Sequence, residues 1–162
     1  EIDGLGILDI ESEFIREEKI VKQSLANFEL KTYDNDESNQ AYEMFYKING
    51  EEVTGYELHE GTTNLLGAKP LFRIKEGMGN NNEGKYDGAY QNNVFGTYFH
   101  GIFNNYNLRR ELLNYLRENK GLEIKTGEDP YETSVENSLE KLANIVEEAL
   151  DMDYIDNLIF NE

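Results

Sequence analysis

The apolar residues of this 162-residue chain change period near Asn107, and that change limits what the chain can build. Before Asn107 the pattern is short, often alternating and broken by Gly and Asn, as in strands joined by turns. After it, Leu108, Leu112, Tyr115 and Leu116 fall on one helical face, with Asn107 placed to cap the helix and Gly121 to stop it. A second helix is predicted from near Ser134, where Val135, Leu139, Leu142, Ile145, Val146, Ala149 and Leu150 recur while Glu136, Glu140, Glu147 and Glu148 turn to water. Tyr154, Ile155, Leu158 and Ile159 extend that character and are expected to dock on the core. Strands giving way to helices imply a chain of mixed α and β class.

Within the first part, Gly4 to Asp9 reads as a glycine-hinged loop entering a short apolar strand, with further strands at Lys19 to Gln23 and Leu25 to Tyr33. Tyr42, Met44, Tyr46 and Ile48 alternate, and Asn49-Gly50 follows, so a hairpin with a type I′ turn is predicted over Tyr42 to His59. Leu71 to Lys75 reads as a short strand after Pro70, and Gly77 to Asn93 as mostly turns. Val94 to His100 is β-branched and aromatic and is predicted to be a buried central strand.

The length suits one domain with a real core. Lys+Arg 15 against Asp+Glu 33 gives a net charge of −18, which repels phosphate backbones and anionic lipid, so neither nucleic acid nor membrane is an expected partner. With no cysteine, disulfides, thiolate–zinc sites and a self-contained cysteine enzyme are excluded. No apolar run approaches a membrane span and no signal pattern opens the chain, so a cytoplasmic location is expected. A start at Glu1 rather than Met suggests a piece of something longer.

The two histidines, His59 and His100, each end a predicted strand, and strand ends border the crevices where catalytic groups collect. Taken alone, a strand-end histidine is more often one satisfied by a backbone hydrogen bond than a catalytic group. No metal site is expected, because nothing in their spacing forces the imidazoles together and no HExxH or clustered carboxylates accompany them. Neither GLG near the start nor GMG at Gly77 to Gly79 fits a phosphate-binding loop. Asp3, Asp9, Glu11 and Glu13 match no EF-hand and read as solvated acidic surface. Arg109-Arg110 reads as carboxylate-pairing or helix surface.

In order, GLGILDIESEF (Gly4 to Phe14), GYELHEG (Gly55 to Gly61), DGA (Asp87 to Ala89) and GTYFHGIFNN (Gly96 to Asn105) resemble the class I glutamine amidotransferase domain of the cobyric acid synthase family. The resemblance spans nearly the whole chain, and the GYELHEG and GTYFHGIF pair is its most specific part. It implies an α/β, flavodoxin-like fold with a parallel-rich sheet, here partial, carrying a β-hairpin and C-terminal helices. All of residues 1–162 would be the C-terminal portion of that domain. The family's nucleophile is a cysteine upstream of the segment that GLGILD matches, so the nucleophile's strand and the ATP-dependent synthetase part would lie outside this chain.

By that resemblance His100 is the general base and acid, taking the thiol proton and passing one to departing ammonia. Ile102 stands where many class I amidotransferases keep a glutamate to orient this histidine. His59 would shape the glutamine pocket or the synthetase contact, and Tyr98 and Gly101 would flank and position His100; these three are the candidate substrate-binding residues. The implied function is to supply ammonia from glutamine for amidation of corrinoid carboxylates in cobalamin biosynthesis. No cofactor is expected in this chain, with ATP and Mg2+ serving the synthetase part. Expected partners are glutamine, the preceding part of the same polypeptide and, through the synthetase part, the corrinoid. The chain alone is expected to be inactive, and an unpaired sheet edge would favour self-association. The alternatives are a non-catalytic amidotransferase-like binding module and an amidotransferase for another carboxylate acceptor.

Overall fold

Alternation in the second strand organises the first half of the molecule. In the computed structural model, which describes residues 2–14, 19–30, 40–81 and 83–160, Ser24, Ala26 and Phe28 are buried while Val21 and Gln23 face outward. The strands are β1 (Ile10–Phe14), β2 (Ile20–Phe28), β3 (Glu52–His59), β4 (Gly61–Leu65), β5 (Phe72–Glu76), β6 (Tyr86–Asp87), β7 (Ala89–Gln91), β8 (Val94–Gly96) and β9 (Phe99–His100). The helices are α1 (Gln40–Phe45), α2 (Tyr106–Asn119), α3 (Pro130–Ala149) and α4 (Met152–Phe160). Two compact units emerge, Glu1–Lys125 and Thr126–Glu162.

The first unit is built on a sheet of order β6-β5-β2-β3-β9. Two smaller pairs, β1-β4 and β7-β8, accompany it. Every strand pair among the described residues is antiparallel, so the parallel strands implied by the resemblance are not among these pairs. One face of the five-stranded sheet carries Ala26, Phe28, Val53, Phe72, Ile74 and Phe99 into a core completed by Ala41, Met44, Phe45, Ile48 and Leu108. Phe28 meets Phe72 edge-on at 4.8 Å, and Phe72 stacks on Phe99 at 5.6 Å.

Several expectations need correction. Residues 42–45 lie in α1 and Tyr46–Ile48 form a 3-10 turn, so the hairpin over Tyr42 to His59 does not form. The alternation there hides a helical period: Ala41, Met44, Phe45 and Ile48 are the buried residues. Asn49-Gly50 does turn the chain, with Asn49 at φ −60, ψ 129 and Gly50 at φ 88, which is type II rather than I′. The partner of β3 is β2, paired from Ile20↔His59 to Asn27↔Glu52. The two strands expected at Lys19 to Gln23 and Leu25 to Tyr33 are the single β2; residues 31–33 lie outside the described residues.

Val94 to His100 is not a central strand. It divides at Thr97 into β8, which hairpins with β7, and β9, which forms the edge of the main sheet beyond β3. Helix α2 starts at Tyr106, with Asn105 rather than Asn107 at the cap position. Its end is as expected: Gly121 takes φ 65, and Leu122 N–H donates to the Arg117 carbonyl at 2.8 Å.

In the second unit, α3 starts at Pro130 rather than near Ser134, because the Asp129 carboxylate accepts the Tyr131 N–H at 3.0 Å and proline suits the first helical position. Leu139, Leu142 and Ile145 of α3 and Leu158 and Ile159 of α4 are exposed. No described helix is long and apolar enough to cross a membrane.

Candidate active site

His100 projects from the sheet face opposite the core. Its cross-strand partner is Tyr56, which is opposite Gln23, while buried Phe99 is opposite buried Glu57. Partners across antiparallel strands share a face, so His100, Tyr56 and Gln23 stand together on the open side. There they line a cleft of about 520 Å³ with Thr54, Glu76 and Asn104. Glu76 reaches this face through an irregularity in the β2–β5 register, where Leu25↔Glu76 is followed by Ala26↔Ile74. The cleft therefore holds an imidazole, a carboxylate, two amides and two hydroxyls.

The turn after His100 is fixed from below. Gly101 adopts φ 72, and a Cβ there would meet Asn104 Nδ2 at 3.2 Å. Ile102 is buried in the core, so the position that carries a glutamate in many class I amidotransferases offers no carboxylate here. Asn105 straps the turn to β3: its Oδ1 accepts the Thr54 N–H at 2.8 Å and its Nδ2 donates to the Thr54 carbonyl at 2.7 Å. Gly55 leaves room for Phe99, since a Cβ at 55 would lie 2.6 Å from the Phe99 Cβ. Gly55→Ala is expected to destabilise the first unit by about 1–3 kcal/mol through overpacking, read as a lower urea midpoint at unchanged m.

The other two motifs gather on the core side. Glu57 of GYELHEG is fully buried, and its carboxylate accepts the Met78 N–H at 3.0 Å and the Gly79 N–H at 2.9 Å. His59 is 7% exposed; its Nδ1–H donates to the Gly61 carbonyl at 2.7 Å, which fixes that nitrogen as the protonated one, and its Nε2 is buried without a partner. The ring stacks on Tyr98 at 4.1 Å, and the Tyr98 hydroxyl lies 2.6 Å from Thr63 Oγ1. Asp87 of DGA is also fully buried; its Oδ1 accepts the Thr97 hydroxyl and the Tyr98 N–H, and its Oδ2 is unpartnered. Burial pushes the Asp87 carboxyl from 3.8 up to about 6, the Thr97 bond opposing and the Glu57 charge adding to the rise.

Of the residues singled out in the sequence, His100 and Gly101 share the cleft of about 520 Å³. Tyr98 lines a second cleft of about 240 Å³ with Thr63 and Asn80, and His59 lies against the Tyr98 ring. Sequence reasoning passed over Glu57, Asp87 and Thr97. A signal for Glu57 existed: it falls in phase with buried Val53, where a strand facing a core should not carry an unpaired acid.

A histidine at a strand end, facing a polar cleft on an α/β scaffold, is an arrangement suited to proton transfer. The sequence matches the CobB/CobQ-like glutamine amidotransferase domain over residues 1–108, and the chain belongs to that family. It is 44% identical over 159 residues to a probable cobyric acid synthase of Methanothermobacter thermautotrophicus and 40% identical over 159 residues to one of Methanosphaera stadtmanae. It is also 35% identical over 163 residues to the cobyric acid synthase of Clostridium tetani. Each alignment takes in 98% of this chain but 29%, 30% and 28% of the respective relative, so the chain spans less than a third of the length of these curated relatives.

Proposed function

We propose that this chain is the histidine-bearing portion of the amidotransferase domain of a cobyric acid synthase. The observation that carries the reading is the position of His100: on the open face of an edge strand, at a cleft, in a family member without a cysteine of its own. The thiol comes from another part of the same polypeptide and meets the imidazole across the open sheet face. His100 takes the thiol proton as sulfur attacks the glutamine amide carbon, and gives it to the leaving nitrogen, releasing ammonia and leaving a thioester. It then takes a proton from water as that water attacks the thioester, and returns the proton to sulfur as glutamate departs. A role at both steps suits imidazole because its unperturbed pKa is close to neutral pH.

Ammonia passes to an ATP-dependent site in the synthetase part, where corrinoid carboxylates become amides. Among the described residues no group of three or more His, Asp or Glu converges to hold a metal ion. Exposed Tyr56, paired with His100, and exposed Val21 on the same sheet face suit that face for contact with the preceding part of the polypeptide.

The test is a glutaminase assay on this chain and on the full-length polypeptide. The chain alone is expected to release no glutamate, and the full-length protein to release glutamate and ammonia in equal amounts. Turnover by the chain alone overturns the division of the site between two segments. A full-length protein that leaves glutamine intact overturns the amidotransferase reading.

A further inference from the structure

The GTYFHG segment departs from its strand just before the histidine, and a buried carboxylate waits at that departure. We propose that Asp87, acting through Thr97, is the positioning residue for the His100 imidazole. Asp87 is fixed on the far side of the sheet by its pairing with Phe72, and its Oδ1 accepts both the Thr97 hydroxyl and the Tyr98 N–H, at 3.3 Å for the latter. Thr97 Oγ1 in turn accepts the Phe99 N–H at 3.0 Å. That chain of bonds ends one residue short of His100. It halts β8 and starts β9 in a register that places Phe99 under Gly55 and His100 over Tyr56.

A one-residue slip would exchange the faces, sending the imidazole into the core and the phenyl ring to water. Only two residue pairs, Tyr56↔His100 and Glu57↔Phe99, hold β9 in the sheet, so its own ladder specifies the register weakly. The Asn105 strap fixes the segment after the histidine, and Asp87 fixes the segment before it. Removal of solvent from Asp87 strengthens the clamp, because charge-assisted bonds to a carboxylate gain where no water competes. With Ile102 in the position that elsewhere supplies an orienting glutamate, the backbone must set the imidazole's location, and Asp87 is the group that sets that backbone.

This inference rests on the proposed role of His100, and its test separates the two. In the full-length polypeptide, Asp87→Ala and Thr97→Val are expected to lower kcat for glutamine hydrolysis at least about tenfold with KM within about twofold, since geometry at the reacting atoms is lost while the cleft remains. Asp87→Asn, which keeps an acceptor oxygen, and Thr97→Ser, which keeps the hydroxyl, should recover to within about threefold of the native rate. In the 162-residue chain, the His100 ring Cε1–H resonance should move in Asp87→Ala and Thr97→Val and return in the two conservative variants. Native kcat in Thr97→Val with the resonance unmoved overturns the proposal. So does a loss of activity that follows only a loss of folded protein and is shared by Thr97→Ser. If the native full-length protein does not hydrolyse glutamine, the amidotransferase reading fails, and the resonance alone decides whether Asp87 positions the ring.

Discussion

In the full-length polypeptide, His100→Ala is expected to cut glutamine hydrolysis by about 10²–10⁴-fold, the range spanned by a positioned general acid–base group. The loss should fall on kcat, because the imidazole acts on protons in flight and the rest of the cleft remains to hold the substrate. Folding should be little affected. His100 is exposed on the open face, so its truncation removes little packing, and the 162-residue variant should stay within about 0.5 kcal/mol of the native stability. Free ammonia supplies a second measurement: given in place of glutamine, it should restore product formation by His100→Ala, because the synthetase step does not use this residue. Native glutaminase activity in the variant would remove His100 from the chemistry. A variant that also fails with ammonia would place the residue in the coupling between the two parts instead.

The histidine could be read from the sequence because its neighbours are unusual. The imidazole stands between an aromatic strand and a glycine, downstream of GYELHEG, and in the structure it lies beside a cleft. The strand's place in the sheet could not be read. Val94 to His100 has the composition of a central strand, yet Thr97 leaves the ladder to bond Asp87, a residue ten positions away whose burial has no local signature. The region around Tyr42 shows the same limit. Its alternation fits a strand as well as Ala41, Met44, Phe45 and Ile48 fit a helix, and the choice falls to the aromatic core, where Phe45 meets Phe28 at 5.5 Å and Phe95 at 5.0 Å. Asn105 is a further case: as sequence it is one more polar turn residue, and only the fold makes it the bridge to Thr54.

Asp87→Asn should change how stability depends on pH, and the sign follows from the direction of the shift. The folded chain holds the Asp87 proton up to about pH 6, while the unfolded chain releases it near 3.8. Between those values the native state binds more protons than the unfolded state, so this group's contribution to stability falls as pH rises. Below the lower value both states are protonated; above the higher one the folded chain carries a desolvated charge close to Glu57. The accumulated cost is about 3 kcal/mol, from 1.36 kcal/mol for each tenfold change in proton affinity. Asparagine keeps the acceptor for Thr97 and cannot ionise. The stability of Asp87→Asn relative to the native chain should therefore climb by about 2–3 kcal/mol between about pH 4 and pH 7.5, most of it before pH 6.5, as read from paired urea melts of the 162-residue chain. Carboxylates remote from Asp87 titrate alike in both proteins and cancel in the difference. A difference that stays flat across this range would mean that Asp87 loses its proton at its ordinary value despite complete burial, and that the Thr97 and Tyr98 bonds outweigh desolvation at this site.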